Sequence, residues 1–187
     1  MKRSCGIVLC LLVLAGCASN APTRYYVLSP LAGETKVTAE ESCATVGIGP
    51  VKLPEYVNRP EIVTRTTPNE LVLSYFDLWA EPLNESIPRI LAENVSRLIC
   101  AKEVMLFPWR PSRAPDYRVE VEFVHLDGNL GKTVSLEAWW SVSSGNVRVV
   151  RRSAYSEPVS GQDYDALVQA ESRALVTLSR DIAGAIK

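Results

Sequence analysis

The chain is 187 residues long, 47% hydrophobic and 22% charged, with a formal net charge of −1. Neither sign gathers into a long block, so composition offers no electrostatic footprint for nucleic acid. The length suits one domain of ordinary size with its own core.

At the N-terminus Lys2 and Arg3 precede an apolar run from Gly6 to Ala15. The run is too short to stay in a bilayer as a spanning helix, and it reads as an export signal. It ends in Leu14, Ala15, Gly16, Cys17, a sequence that resembles a bacterial lipobox. On that reading residues 1–16 are removed and Cys17 becomes the acylated first residue of the mature chain. Residues 17–23 then form a lipidated tether, and residues 24–187 form a single periplasmic domain. At about 0.8 kcal/mol per buried methylene, two acyl chains hold a protein at a membrane for long periods. Ala18 and Ser19 follow the cysteine with no aspartate, so outer-membrane delivery is expected rather than inner-membrane retention. Cys5 and Cys10 leave with the signal. Cys43 and Cys100 remain in an oxidising compartment, either as a disulfide or as two separately buried thiols.

In chain order, Tyr25 to Leu28 reads as a first strand and Leu31 to Glu41 as a surface loop. Ala44 to Val51 reads as a strand whose middle is interrupted by Gly47, Gly49 and Pro50. Ile62–Thr66 and Leu71–Ser74 read as a strand pair across Thr67, Pro68 and Asn69. From Asn84 to Ile99, apolar residues recur at spacings of three and four, which predicts an amphipathic helix capped by Asn84 or Ser86, with Pro88 in its first turn. Alternation from Asp116 to Pro158 predicts a three-stranded antiparallel meander, with turns at Asp127–Asn129 and Ser143–Asn146. A second amphipathic helix is predicted from Asp163, a natural cap, to Ile186. Together these predict an α+β domain, mainly an antiparallel sheet with two long amphipathic helices packed on one face.

Several segments in order resemble the ABC-type transport auxiliary lipoprotein family, and within it the PqiC-type subunits that accompany MCE-domain lipid-transport proteins. The residues carrying the resemblance begin with the lipobox and Tyr25–Leu28, then Val46–Pro54 with Tyr56, Arg59 and Pro60. They continue with Trp79–Leu83, Pro108 and Trp109, then Ser153, Tyr155 and Ser156, and the run Gly161–Val168. The resemblance implies a non-enzymatic lipoprotein facing the periplasm from the outer membrane. It would dock on an MCE-domain, periplasm-spanning partner and complete a phospholipid route. The same picture admits a homo-oligomer, because a continuous lipid route needs an enclosing wall. A periplasmic lipid carrier with an apolar cavity is the competing expectation.

An enzyme would have to find its parts in a thin inventory. His125 is the single histidine, and alternation places it on the face of Val121 and Phe123. No metal-ligand spacing or phosphate-cradling glycine loop is visible, so neither metal nor cofactor is expected. Glu81 with Glu85, and Asp163 with Asp165, sit beside helix starts, where negative charge is favoured by the dipole. Alternation splits Arg148, Arg151 and Arg152 between two faces. Trp140 falls on the apolar face and Trp139 on the polar one, either as a docking anchor or as a partner in cross-strand stacking. Trp109, in the loop Pro108–Pro111, is a second docking candidate or a plug at the core edge.

Overall fold

A computed structural model describes residues 22–33 and 43–186. The signal and Cys17 lie outside the described residues. Among the described residues eight strands form one sheet: β1 (Arg24–Tyr26), β2 (Ala44–Lys52), β3 (Glu61–Thr67), β4 (Glu70–Trp79), β5 (Ala101–Leu106), β6 (Tyr117–Gly128), β7 (Thr133–Ser144) and β8 (Val147–Pro158). Helix α1 (Leu83–Leu98) connects β4 to β5, and α2 (Tyr164–Ala185) follows β8.

The predicted meander forms as β6–β7–β8, and the predicted strand pair forms as β3–β4, so three pairings are antiparallel. The sheet is nonetheless mixed, which corrects the mainly antiparallel expectation. The pairings β1–β4, β2–β5, β2–β6 and β3–β6 are all parallel. Hairpins announce themselves through a local turn, whereas a parallel partner arrives only after a long crossover. β5 is such a partner; it was not predicted, and it lies beside β2 only after β3, β4 and α1 have been laid down. The edge of β6 away from β7 is shared: β2 runs along Tyr117–Glu122, and β3 meets it at Gly128.

Both helices cover one face. α2 lies on β6, β7 and β8, α1 lies on β2 and β5, and the helices touch each other. Ile48, Val119, Val121, Leu136, Trp140 and Val142 point into this layer, with Leu91, Leu167, Leu175 and Leu178 coming down from above. Asn94, buried on α1, ties the layer to the N-terminal segment. Its Oδ1 accepts from the Leu31 amide at 2.7 Å and its Nδ2 donates to Ser179 Oγ at 3.1 Å. Strand β1 is shorter than predicted because Val27 and Leu28 leave the sheet, and Leu28 is buried in the core.

Three local expectations change. Helix α1 starts at Leu83 after Pro82 and has no side-chain cap, so neither Asn84 nor Ser86 is the cap. Pro88 therefore falls beyond the first turn, where its missing amide leaves the Asn84 carbonyl without the usual helical donor. In β6 a register shift between Phe123 and His125 inserts Val124, which turns His125 outward and hands the core position to Leu126. Asp127 is not in the turn; it is buried near the end of β6.

Candidate docking surface

The helix-free face of the sheet carries the two tryptophans singled out from sequence, at separate places. Trp139 stands on the outer side of β7, level with Glu122 of β6 and Arg152 of β8, and is 46% exposed. The Arg152 guanidinium lies 5.5 Å from the ring centroid and pairs with Glu137. This contact fixes the ring and leaves much of it open to solvent, as cross-strand stacking from β8 alone cannot cover it. Beside it runs a groove of about 200 Å³ lined by Lys52, Glu120, Glu122, Arg148 and Val150. Arg148 pairs with Glu120 at 2.9 Å, so the groove presents both signs of charge around an apolar and aromatic centre. Arg148 and Arg152 share this face; Arg151, level with Trp140, faces the other way.

Trp109 is half-buried and covers β2. A Cβ on Gly47 would lie 2.6 Å from Pro115 Cγ and 2.9 Å from Trp109 Cζ3, so this loop seats on bare backbone. Gly49 adopts φ +117°, and there a Cβ would meet Phe107 at 2.7 Å. Phe107 and Trp109 pack edge to face, with ring centroids 5.2 Å apart. The glycines that interrupt β2 in the sequence are thus the seats of the Phe107–Pro115 loop. Cys43 and Cys100, immediately before β2 and β5, are joined by a disulfide with Cα atoms 5.5 Å apart.

The remaining polar chemistry is structural in form. Arg65, Tyr56 and Asp127 make one network; the exposed His125 reaches it only through Nδ1, 3.5 Å from the Tyr56 hydroxyl. Burial and the bond to Asp127 push the Tyr56 hydroxyl up to about 12. Burial alone would raise Asp127, but the bonds from Arg65 and Tyr56 outweigh it and hold its carboxyl below the ordinary value. Asp163 caps α2 by accepting from the Ala166 amide at 2.9 Å, and Glu81 pairs with Arg89. Among the described residues no cluster of three metal-ligating side chains occurs.

Two features escaped the sequence reading. Glu171 is fully buried on α2, and its position four residues from both Leu167 and Leu175 was the available signal. In β4, Tyr75 and Phe76 are consecutive exposed aromatics, which a simple strand alternation would not produce.

Residues 26–183 match the family model described as the ABC-type transport auxiliary lipoprotein component. The chain is 24% identical to the intermembrane transport lipoprotein PqiC of Escherichia coli K12 over 165 residues, covering 87% of this chain and 86% of that protein. The PqiC of Shigella flexneri matches equally. Two solved structures share the fold. One is of an uncharacterized protein, with TM-score 0.72, 18% identity, and coverage of 89% of this chain and all of that one. The other is protein XCC0632 of Xanthomonas campestris, with TM-score 0.65, 16% identity, and coverage of 87% and 93%.

Proposed function

The chain belongs to the ABC-type transport auxiliary lipoprotein family, and from that premise we propose that it is a non-enzymatic adaptor of an intermembrane phospholipid transport system. Cys17 carries the lipid and holds the domain on the periplasmic side of the outer membrane. The helix-free face around Trp139 then receives an MCE-domain partner that spans the periplasm.

The observation that carries this reading is the extent of the family match, which runs from β1 to the last turns of α2. The mixed-charge groove with one fixed, half-exposed tryptophan has the make-up of a docking surface. The competing carrier needs an enclosed apolar cavity that fits an acyl chain. Among the described residues the void beside Glu171, Val57 and Leu126 measures about 10 Å³, room for one water at most, and the larger spaces, about 490 Å³ beside Leu31 and Val176, about 410 Å³ beside Trp79 and about 630 Å³ beside Trp109, are open surface grooves. An acyl chain carried by this domain would have to lie in one of those grooves.

In-cell crosslinking with mass spectrometry tests the proposal, comparing the wild type with Cys17→Ala. An MCE-domain partner should be recovered from the wild type and be lost or weakened in the variant. Recovery of no transport component from the wild type would overturn the adaptor reading.

A further inference from the structure

Between Leu73 and Leu78 the pairing of β4 with β3 slips: Val63 faces Leu73, yet Glu61 faces Leu78. The extra residues of β4 bulge outward. Ser74 closes the bulge by donating from Oγ to Asp77 Oδ2 at 2.8 Å and accepting from the Asp77 amide at 3.0 Å. Both residues of this staple are buried, while the two between them are thrown out, Tyr75 at 88% exposure and Phe76 at 44%. A folded protein has no reason of packing to hold two adjacent aromatics in water on a pinned bulge.

The same Asp77 fixes where the chain enters the domain. Arg24 donates to its Oδ1 from Nε at 2.8 Å and pairs with the same oxygen through Nη2 at 2.7 Å, and Tyr26 donates to that oxygen at 3.0 Å. Strand β1 pairs parallel to β4 with Arg24 level with Asp77, so the backward direction of β1, from Arg24 to Thr23, runs the same way as from Asp77 to Phe76 and Tyr75. Cys17 and Arg24 are seven residues apart, and that span reaches at most about 25 Å whatever its conformation.

We propose that Tyr75 and Phe76 form an aromatic wedge that enters the headgroup region of the membrane to which Cys17 is attached, seating the domain on that leaflet in a fixed orientation. This rests on acylation of Cys17. A tyrosine and a phenylalanine side by side suit the interface, where an apolar ring is buried and a hydroxyl stays wet. Asp77 beneath the bulge is matched by Arg24, so the wedge brings no unpaired carboxylate to the lipid surface. The short tether supplies the high local concentration that two side chains need to bind a surface.

The test uses the full chain, exported and acylated, on vesicles of phosphatidylethanolamine and phosphatidylglycerol. Tyr75→Cys and, in a separate protein, Val147→Cys are labelled with an environment-sensitive fluorophore. Val147 lies in the β7–β8 hairpin beside the start of β6, whereas β3 and β4 join at the other end of that strand, roughly 30 Å away. On floated vesicles the label at 75 should shift to the blue and be quenched by a lipid-borne nitroxide, with the label at 147 unchanged. Protein that floats while both labels report water would overturn the wedge and leave the anchor standing. Protein that does not float would remove the anchor and the wedge together. Shielding at 75 already present in Cys17→Ala without vesicles would assign the bulge to a second protein copy and overturn the lipid contact.

Discussion

Arg65 grips Asp127 with two parallel bonds, Nε to Oδ1 at 2.7 Å and Nη2 to Oδ2 at 2.9 Å, while the Tyr56 hydroxyl donates to the same Oδ2 at 2.6 Å. The pair joins β3 to the end of β6 at the place where their parallel contact is a single residue pair, Thr64 with Gly128. Asp127 is buried, so removing Arg65 strands a charge. Arg65→Ala is expected to cost about 3–5 kcal/mol in urea unfolding. Arg65→Met with Asp127→Leu should recover most of that loss. The pH dependence follows from the lowered carboxyl of Asp127. Its contribution is complete above the ordinary aspartate range and is lost as pH falls through the folded value, so acid should destabilise the wild type more steeply than the double variant.

Glu171 gives the opposite slope. Burial, with the charge of Asp127 adding to it, pushes its carboxyl from 4.5 up to about 8, and its Oε2 has no hydrogen-bond partner. Between those values the folded state keeps a proton that the unfolded state has released, so stability falls as pH rises from about 4.5 to about 8 and then levels. At about 1.4 kcal/mol per pKa unit the full effect is on the order of 5 kcal/mol. Glu171→Gln should flatten this slope and raise the melting temperature at the alkaline end. Melting curves of the wild type that show no decline across this interval would refute the assignment.

What could be read from the sequence divides along the line between local and distant contacts. The meander Tyr117–Pro158 carries its own turns and alternation, and α2 carries Asp163 and an unbroken stripe, so both were legible. Even the interruption of β2 was visible in Gly47, Gly49 and Pro50, although not that it seats Trp109 and Phe107. β5 was missed because its six residues sit between a helix end and a proline and gain a partner only through β2. His125 was placed on the wrong face because one inserted residue, Val124, reverses everything after it. Asp77, pinned locally by Ser74, is met by Arg24 and Tyr26 from the distant β1, and no local pattern announces that meeting.

The disulfide acts on one of those distant contacts. Cys43 and Cys100 are 57 residues apart and lie at the starts of the parallel neighbours β2 and β5, where Ala44 is level with Ala101. Chain-entropy reasoning gives about 4 kcal/mol for closing a loop of this length. Cys43→Ser with Cys100→Ser should lower the urea midpoint accordingly, and reductant should bring the wild type to the same midpoint. A midpoint that reductant leaves unchanged would show that β5 is held by packing alone.

The two tryptophans are expected to separate under mutation. Trp139 contributes chiefly an exposed ring against Arg152, so Trp139→Ala should change folding stability by no more than about 1 kcal/mol. If it anchors the partner, capture should fall by on the order of thirty-fold, the equivalent of about 2 kcal/mol at a hot spot. Trp109 fills the space over Gly47. Trp109→Ala should therefore cost about 2–3 kcal/mol of stability, with capture by the remaining folded protein unchanged. Gly47→Ala offers an independent check, because its methyl would push against Pro115 and Trp109 and should destabilise by about 1–3 kcal/mol. Were Trp109→Ala to abolish capture at full stability, with Trp139→Ala silent, the docking site would move from the β7 groove to the Phe107–Pro115 loop.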